Sequence, residues 1–377
     1  MKKKTNNKLD TFFYFVIFII LILFIINFFV INNRFTKVKD AQEIAKEKMR
    51  PAMLEVIKII PADCDDCYDI DLLLEELKKE NVNITDEVTL VKDEAAGLIT
   101  KYNFEKLPAM LVTGEINKSD KLIKFFNDWG QFIDNGTAVL TKIKPPYYLI
   151  NKNKVVGMVS VINIVDSSCN KCFSLLPLVD NLKDAGVKVA SENTFEYNST
   201  EGLDLISTNE IKAIPAMIIS DEIDYYEEIK KALEGIGADK RNNAYAIHAS
   251  TPPYRNLTDG RIVGLVDLIN IVDPSCEVCY DINQNKLIVE RLGVVIDNEF
   301  SYNVSSKDAE NLIAEYNITK VPIILLSPDA SIYDRFLQAW NDVGSIEDNG
   351  WLVMRKPELL GPYKDLTTGK VVAKQNE

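Results

Sequence analysis

The stretch IVDPSCEVCYD, residues 271–281, follows a β-branched apolar run and places Cys276 and Cys279 three positions apart. The same spacing returns at Cys64/Cys67 in PADCDDCYD and at Cys169/Cys172 in VDSSCNKCF; these six are all the cysteines of the 377-residue chain. Cys64 to Cys169 spans 105 residues and Cys169 to Cys276 spans 107. Downstream of each pair lies a second shared signature, in turn YNFEKLPAMLVTG, NEIKAIPAMIIS and YNITKVPIILLS. Its prolines, Pro108, Pro215 and Pro322, fall 44, 46 and 46 residues after the first cysteine of their copy. A third block, PPYYLINKNKVVG, PPYRNLTDGRIVG and GPYKDLTTGKVV, closes every copy. Repeats of this length are too long for a solenoid and suit independent small domains.

Periodicity within the second copy gives the plan of one unit. MVSVINIV reads as a strand entering the cysteine motif, FSLLPLVDNLKD as a helix ended by Gly186, and VKVASENTFEY as a second strand. TEGLDLISTNEI reads as a second helix, and IPAMIIS as a third strand opened by Pro215, where a missing N–H is tolerated. EIDYYEEIKKALEGIG reads as a last helix with Ile223, Ile229 and Leu233 inward and Gly235 near its C-cap. The closing block reads as a β-hairpin, because its turns are rich in Asn, Asp and Gly. Strands alternating with helices predict an α/β sheet covered by helices.

Outside the repeats, Phe12–Ile31 is apolar throughout, and no charge falls between Asp10 and Arg34. Its length matches the hydrocarbon thickness of a bilayer, and no small-residue cleavage site follows. An uncleaved signal anchor is expected, continued by the charged helix DAQEIAKEKMRPA at 40–52. Lys2, Lys3, Lys4 and Lys8 precede the span, and Arg34, Lys37 and Lys39 follow it, a slight lean toward a cytoplasmic N-terminus. Cysteines that occur only in close pairs suit a body outside the cytoplasm, where disulfides persist. The first 39 residues hold seven Lys/Arg and one Asp, so the remaining 36 basic and 55 acidic residues leave a body of charge −19. Such a body repels nucleic acid and anionic headgroups, so neither is an expected partner; an acidic face for solubility accounts for the charge. Seven Asn-x-Ser/Thr sequences, at Asn83, Asn117, Asn135, Asn198, Asn256, Asn303 and Asn317, would suit a glycosylated exterior.

A Cys-x-x-Cys pair can hold metal, staple the chain or exchange electrons. Zinc needs four ligands; the only histidine, His248, occurs in one copy and reads as a surface or loop residue, so no metal is expected. A four-residue disulfide loop removes little entropy from the unfolded chain, so a staple gains little. At a strand-to-helix junction the first sulfur would sit in the first helical turn, where free N–H groups and the macrodipole favour thiolate. The second, one turn on, could then resolve a mixed disulfide. Placement favours exchange.

On these motifs each unit resembles a thioredoxin-superfamily domain, and the tandem resembles the protein disulfide isomerases, over nearly all of residues 50–345. The resemblance implies three tandem thioredoxin-like domains (40–148, 149–256 and 257–377) after a tip and transmembrane anchor at 1–39. It implies cis prolines at Pro108, Pro215 and Pro322 facing the cysteines. Leu107, Ile214 and Val321 would then offer backbone hydrogen bonds to an extended substrate. Pro177 stands where thioredoxins carry a helix-kinking proline.

The departures are equally specific. Asp63, Ser168 and Ser275 replace the family's Trp, and Asp-Asp, Asn-Lys and Glu-Val replace its Gly-Pro. Lys58, Asn163 and Asn270 stand where it often buries a proton-transferring carboxylate. Lys171 would favour the thiolate of Cys169, whereas Asp63, Asp65 and Asp66 would disfavour that of Cys64. The second pair is therefore expected to be the most oxidising and the first the most reducing.

The expected function is membrane-anchored thiol–disulfide exchange on secreted or surface proteins. Cys64, Cys169 and Cys276 would attack or be attacked, and Cys67, Cys172 and Cys279 would resolve. No cofactor is needed, but turnover requires an external redox partner. The rival is a non-catalytic adaptor or chaperone with inert disulfides.

Overall fold

The computed structural model describes residues 7–373, so Lys2, Lys3 and Lys4, on which the membrane orientation partly rests, lie outside the described residues. One continuous helix, Asn7–Met49, opens the chain. From Phe12 to Ile31 its side chains are exposed on every face. It is long and apolar enough to cross a membrane, with a mean hydropathy of 3.1 over its most apolar window. Its polar end is fastened to the first domain. Arg50 donates to Glu115 at 2.9 and 2.6 Å, and Lys118 donates to Glu47 at 3.1 Å.

By compactness the chain forms two bodies, residues 1–155 and 156–377. The first carries one five-stranded sheet and the second carries two. Each sheet is built alike, and the second serves to describe all three. Lead strand Met158–Val165 runs parallel to Lys188–Glu196 on one side and antiparallel to Ala216–Ser220 on the other. Ala244–His248 and Asp239–Arg241 complete the sheet. The lead strands of the other copies are Ala52–Ile60 and Leu265–Val272. Both faces are covered. In the first domain, helix Ile70–Lys78 buries Ile70, Leu73, Leu74 and Leu77, one face at helical spacing, against Val56 and Phe126. Each of these leucines contributes about 2 kcal/mol of apolar burial. The opposite face packs Ile59, Phe104, Leu107 and Leu111.

Three local features differ from the sequence reading. The helix expected from Phe173 begins only at Leu176, with Pro177 in its first turn, so this proline opens the helix and has no preceding turn to kink. The last helix divides into a 3-10 turn, Asp221–Tyr225, and an α-helix, Glu227–Gly235. Each unit also holds a strand pair that the reading missed: Gly130–Asp134 with Thr137–Leu140, and its counterparts. Asn135-Gly136 and Asn349-Gly350 are hairpin-turn signals that could have found two of them. His248, expected as a surface or loop residue, is half-buried at the end of a strand, opposite Ala216.

The closing blocks do form hairpins: Tyr147–Leu149 with Lys154–Val156, Tyr254–Asn256 with Ile262–Val263, and Tyr363–Asp365 with Val371–Val372. Each adds to a two-residue strand ending just before the signature proline, making a small separate sheet.

Candidate redox site

Sheet register brings the motifs together. Ile59, Ile164 and Ile271 lie opposite Ala109, Ala216 and Ile323, the residues that follow Pro108, Pro215 and Pro322. The first cysteine comes five residues after each of those isoleucines. Cysteine turn and proline therefore emerge at one end of the sheet in every copy. In the second domain Cys169, Cys172 and Pro215 border one cavity of about 230 Å³, together with Asn163, Phe173 and Leu175. The bonds Leu107–Pro108, Ile214–Pro215 and Val321–Pro322 are cis, as are Pro145–Pro146 and Pro252–Pro253.

All three cysteine pairs are disulfides: Cys64–Cys67, Cys169–Cys172 and Cys276–Cys279. Cys169 is nearly buried and the other five cysteines are half-buried. Each pair occupies a single turn, with the second cysteine's N–H donating to the first cysteine's carbonyl at 3.3–3.4 Å. That turn precedes the helix. The helices start at Ile70, Leu176 and Asn283, six or seven residues after the first cysteine. Local chemistry sets these starts. Asp69 caps the first helix by accepting from Asp71 N, Pro177 opens the second, and Asp281 accepts from Asn283 N. The expected placement of the sulfurs in the first helical turn is thus corrected, and the macrodipole, which acts within about one turn, gives them little support.

Six residues before each first cysteine the lead strand buries a polar side chain: Lys58, Asn163 or Asn270. Each faces a glutamate 29 residues on, across the parallel pair. Lys58 donates to Glu87 at 2.8 Å and to Asp71 at 2.7 Å. Burial pushes its pKa down, but the two carboxylates outweigh that and hold it above the usual lysine value. Asn270 donates to Glu299 at 2.9 Å. Asn163 donates more loosely to Glu192, at 3.5 Å, and its Oδ1 is buried without a partner. Glu87, Glu192 and Glu299 escaped the sequence reading, although their constant 29-residue offset was available as a signal.

The hairpins hold the other side of the site. Tyr68, Phe173 and Tyr280, each directly after a second cysteine, donate their N–H to Pro146, Pro253 and Pro362 at 2.8–2.9 Å. Ile150, Leu257 and Leu366 N–H donate to Glu105, Lys212 and Thr319 carbonyls at 2.8–3.0 Å. Antiparallel ladders alternate bonded and open pairs. Two residues on, Leu107/Tyr148, Ile214/Arg255 and Val321/Lys364 are therefore the pairs that exchange both backbone bonds. The main-chain groups expected to face a substrate are occupied by the chain's own hairpins.

In the second and third domains the hairpin is also tied to the cysteine turn by charge. Arg255 Nε donates to Asp166 at 2.7 Å and its Nη2 to Ser168 Oγ at 3.0 Å; the Asp166 side chain is 3% exposed. Lys364 pairs with Asp273 at 2.5 Å. Burial pushes the Asp166 carboxyl up, and hydrogen bonds from Ser168 and Arg255 bring it below the ordinary value. Lys364 and Ser275 hold Asp273 below it too. In the third domain Tyr280 OH donates to Pro322 O and accepts from Asn285 Nδ2, both at 2.9 Å. Lys171 does not serve Cys169 as expected. Its ammonium lies against the third domain, bonded to Ile296 O, Asp297 O and Asp297 Oδ1 at 2.8–3.2 Å, so its charge is already compensated. Among the described residues no cluster of metal-ligating side chains occurs.

The chain thus carries three tandem thioredoxin-like domains after a long apolar helix, on the evidence of strand order, cysteine turn and proline element. No family profile matches the chain, and no curated protein matches it in sequence. Among solved structures, full-length ERdj5 is 11% identical with a TM-score of 0.16, matching 72% of this chain and 41% of its own. The chain therefore spans less than half the length of that protein. A protein disulfide oxidoreductase from Aeropyrum pernix K1 is 16% identical over 52% of this chain and 92% of its own, with a TM-score of 0.15. Human ERp44 is 13% identical over 78% of this chain and 84% of its own, with a TM-score of 0.14. At such scores these similarities add no argument about activity.

Proposed function

We propose that the chain is a membrane-anchored thiol–disulfide oxidoreductase acting on protein thiols outside the cytoplasm. The observation that carries this reading is the threefold meeting of a Cys-x-x-Cys turn with a proline element at one sheet end. A client thiolate attacks one sulfur of the pair, the intrachain S–S bond breaks, and the other cysteine leaves as a thiolate. A second client thiolate then attacks the mixed disulfide and forms the client's own disulfide. Two electrons pass from client to pair, and the protons of the client thiols end on the cysteines or in solvent. An external disulfide restores the pair, and a dithiol drives the reverse direction. In this scheme Cys64, Cys169 and Cys276 exchange with the client, Cys67, Cys172 and Cys279 resolve, and Pro108, Pro215 and Pro322 wall the groove. The unpaired Oδ1 of Asn163, bordering the cavity shared with Cys172, can accept a hydrogen bond from a resolving thiol or from a water, and the thiol's proton itself leaves to water.

The test is insulin reduction by the full chain in detergent. Wild type accelerates precipitation, and the triple variant C64S/C169S/C276S returns it to background; equal rates for both overturn the reading. The second reading, an adaptor with inert disulfides, is favoured by one observation. In the first domain the strand position that borders the cysteine cavity in the second is Lys58, a buried ammonium held by two carboxylates, which cannot take a proton from a resolving thiol. Anchoring through Phe12–Ile31 with an exterior body is tested by labelling reduced cells with a membrane-impermeant thiol reagent, which reaches all six cysteines only if the body lies outside.

A further inference from the structure

The residue directly after the second cysteine is Tyr68, Phe173 or Tyr280. Tyr68 packs against the core of the first domain. Tyr280 is 8% exposed and its hydroxyl donates to Pro322 O at 2.9 Å, so its ring bridges the cysteine turn and the proline element. Phe173 is 45% exposed. Between its turn and Pro215, the two elements that Tyr280 bridges in the third domain, lies the cavity of about 230 Å³, walled by Ile164, Leu175, Leu176 and Ala216. That volume is the liquid share of about seven or eight waters, which suits one side chain and not a drug-sized ligand. Asn163 lines the cavity too. It is buried, its Oδ1 has no partner, and its donation to Glu192 at 3.5 Å is too long to fix the amide, which can turn toward the cavity. While the pair is oxidised, neither sulfur carries a proton to offer that oxygen.

Resting on the reading of the pairs as exchange sites, we infer that this cavity recognises a tyrosine side chain of the client, beside the client's reactive cysteine. The client brings from outside the ring that Tyr280 supplies from within in the third domain. Its hydroxyl donates to Asn163 Oδ1, and its ring packs against Leu175, Leu176 and Pro215. A buried acceptor favours a phenol over a phenyl ring, because the phenyl leaves it unpaired. Strand pairing does not supply recognition here, since Ile214 already exchanges both backbone bonds with Arg255. Side chains two apart on an extended chain point to one side, so the tyrosine belongs two residues from the cysteine that attacks.

The experiment uses the full chain in detergent with the first and third pairs changed to Ser, leaving Cys169–Cys172. It times the oxidation of unstructured two-cysteine peptides that differ only in carrying Tyr, Phe or Ala two residues from one cysteine. Each peptide closes its own disulfide and passes two electrons to Cys169–Cys172, and its two thiol protons end on those cysteines or in solvent. The Tyr peptide is expected to react about fivefold faster than the Phe peptide, and N163L to bring that ratio to one. Equal rates for Tyr and Phe with Asn163 in place, as when a water satisfies its Oδ1, overturn the inference. So does a ratio that N163L leaves unchanged. Saturation-transfer NMR supplies a second arm that does not depend on redox activity. On the oxidised chain N-acetyltyrosinamide is expected to give a stronger ring signal than N-acetylphenylalaninamide, and equal signals overturn the inference. A chain that oxidises none of the peptides would remove the redox reading itself, while the NMR arm still decides the pocket.

Discussion

Replacing Lys58 by Met tests what holds the first domain together. The ammonium is bonded to Asp71 and Glu87, and Lys58 as a whole is 8% exposed. Exchanging a buried ion pair for an apolar side chain of similar volume is commonly neutral or stabilising by about 1–4 kcal/mol. Here the carboxylate partners are 62% and 36% exposed and regain water easily, so little is lost on their side. K58M is expected to lie between no change and a gain of about 2 kcal/mol. The opposite change, D71N/E87Q, leaves a buried ammonium without counter-charge and should cost about 3 kcal/mol. Domain unfolding in urea, followed through Trp129 with Trp340 and Trp351 replaced by Phe, measures both. Because the folded pKa of Lys58 is raised, the pair's contribution is fully present below the unfolded lysine value and lost only as pH rises through the folded one. The contrast should therefore be flat across neutral pH. If K58M loses as much as D71N/E87Q, the view that burying this charge confers no net advantage over an apolar residue is refuted.

Removing the Tyr280 hydroxyl leaves Pro322 O and Asn285 Nδ2 buried and unpaired, so Y280F should cost the third domain about 1–3 kcal/mol. Y68F in the first domain should cost within about 0.5 kcal/mol, and urea midpoints compare them. Asp273 is held below the ordinary carboxylate range, so its contribution is present above the unfolded aspartate value and is lost as pH falls through the folded one. D273N should accordingly flatten the acid limb of the third domain's stability below about pH 4, read as urea midpoints by Trp340 and Trp351 fluorescence. The first pair, ringed by exposed Asp63, Asp65 and Asp66, should have the lowest reduction potential when each pair is titrated with the other two changed to Ser; a value above that of the second pair contradicts this.

The repeat, the lead strands and the meeting of cysteines with prolines were legible because each is a spacing, and register converts spacing into proximity. Gly186, Asn135-Gly136 and the polar hairpin turns are local signals of the same kind. Where each helix starts was less legible. Asp69, Pro177 and Asp281 outweigh the apolar periodicity that seemed to run back to the cysteines. The fate of Leu107, Ile214 and Val321 was not legible, since strand pairing across about forty residues leaves no periodic trace in either partner. Lys171 shows the same limit: beside two cysteines in sequence, it spends its charge on Asp297.

The buried polar position six residues before each first cysteine has an explanation in its neighbour. Glu299, on the neighbouring strand two residues before the position that faces Asn270, is bonded to it at 2.9 Å, and Glu87 is placed likewise relative to Lys58. An amide or an ammonium can donate to that glutamate, whereas an acid on the lead strand would set two carboxylates side by side. Asn270→Asp makes this conflict measurable. Two carboxylates at that separation cannot both ionise freely, so one is driven to hold its proton. Lys286, bonded to Glu299 at 2.6 Å, relieves part of the repulsion. The expected loss at pH 7 is about 1–3 kcal/mol. A carboxyl whose folded pKa is raised loses stability as pH rises from its unfolded to its folded value, so N270D should match wild type near pH 4 and fall behind above it. Urea midpoints of the third domain at pH 4, 5, 6 and 7 trace the curve. A variant as stable as wild type at every pH would mean that Glu299 is not ionised there, and that the acid missing from the lead strand has not been excluded by the one beside it.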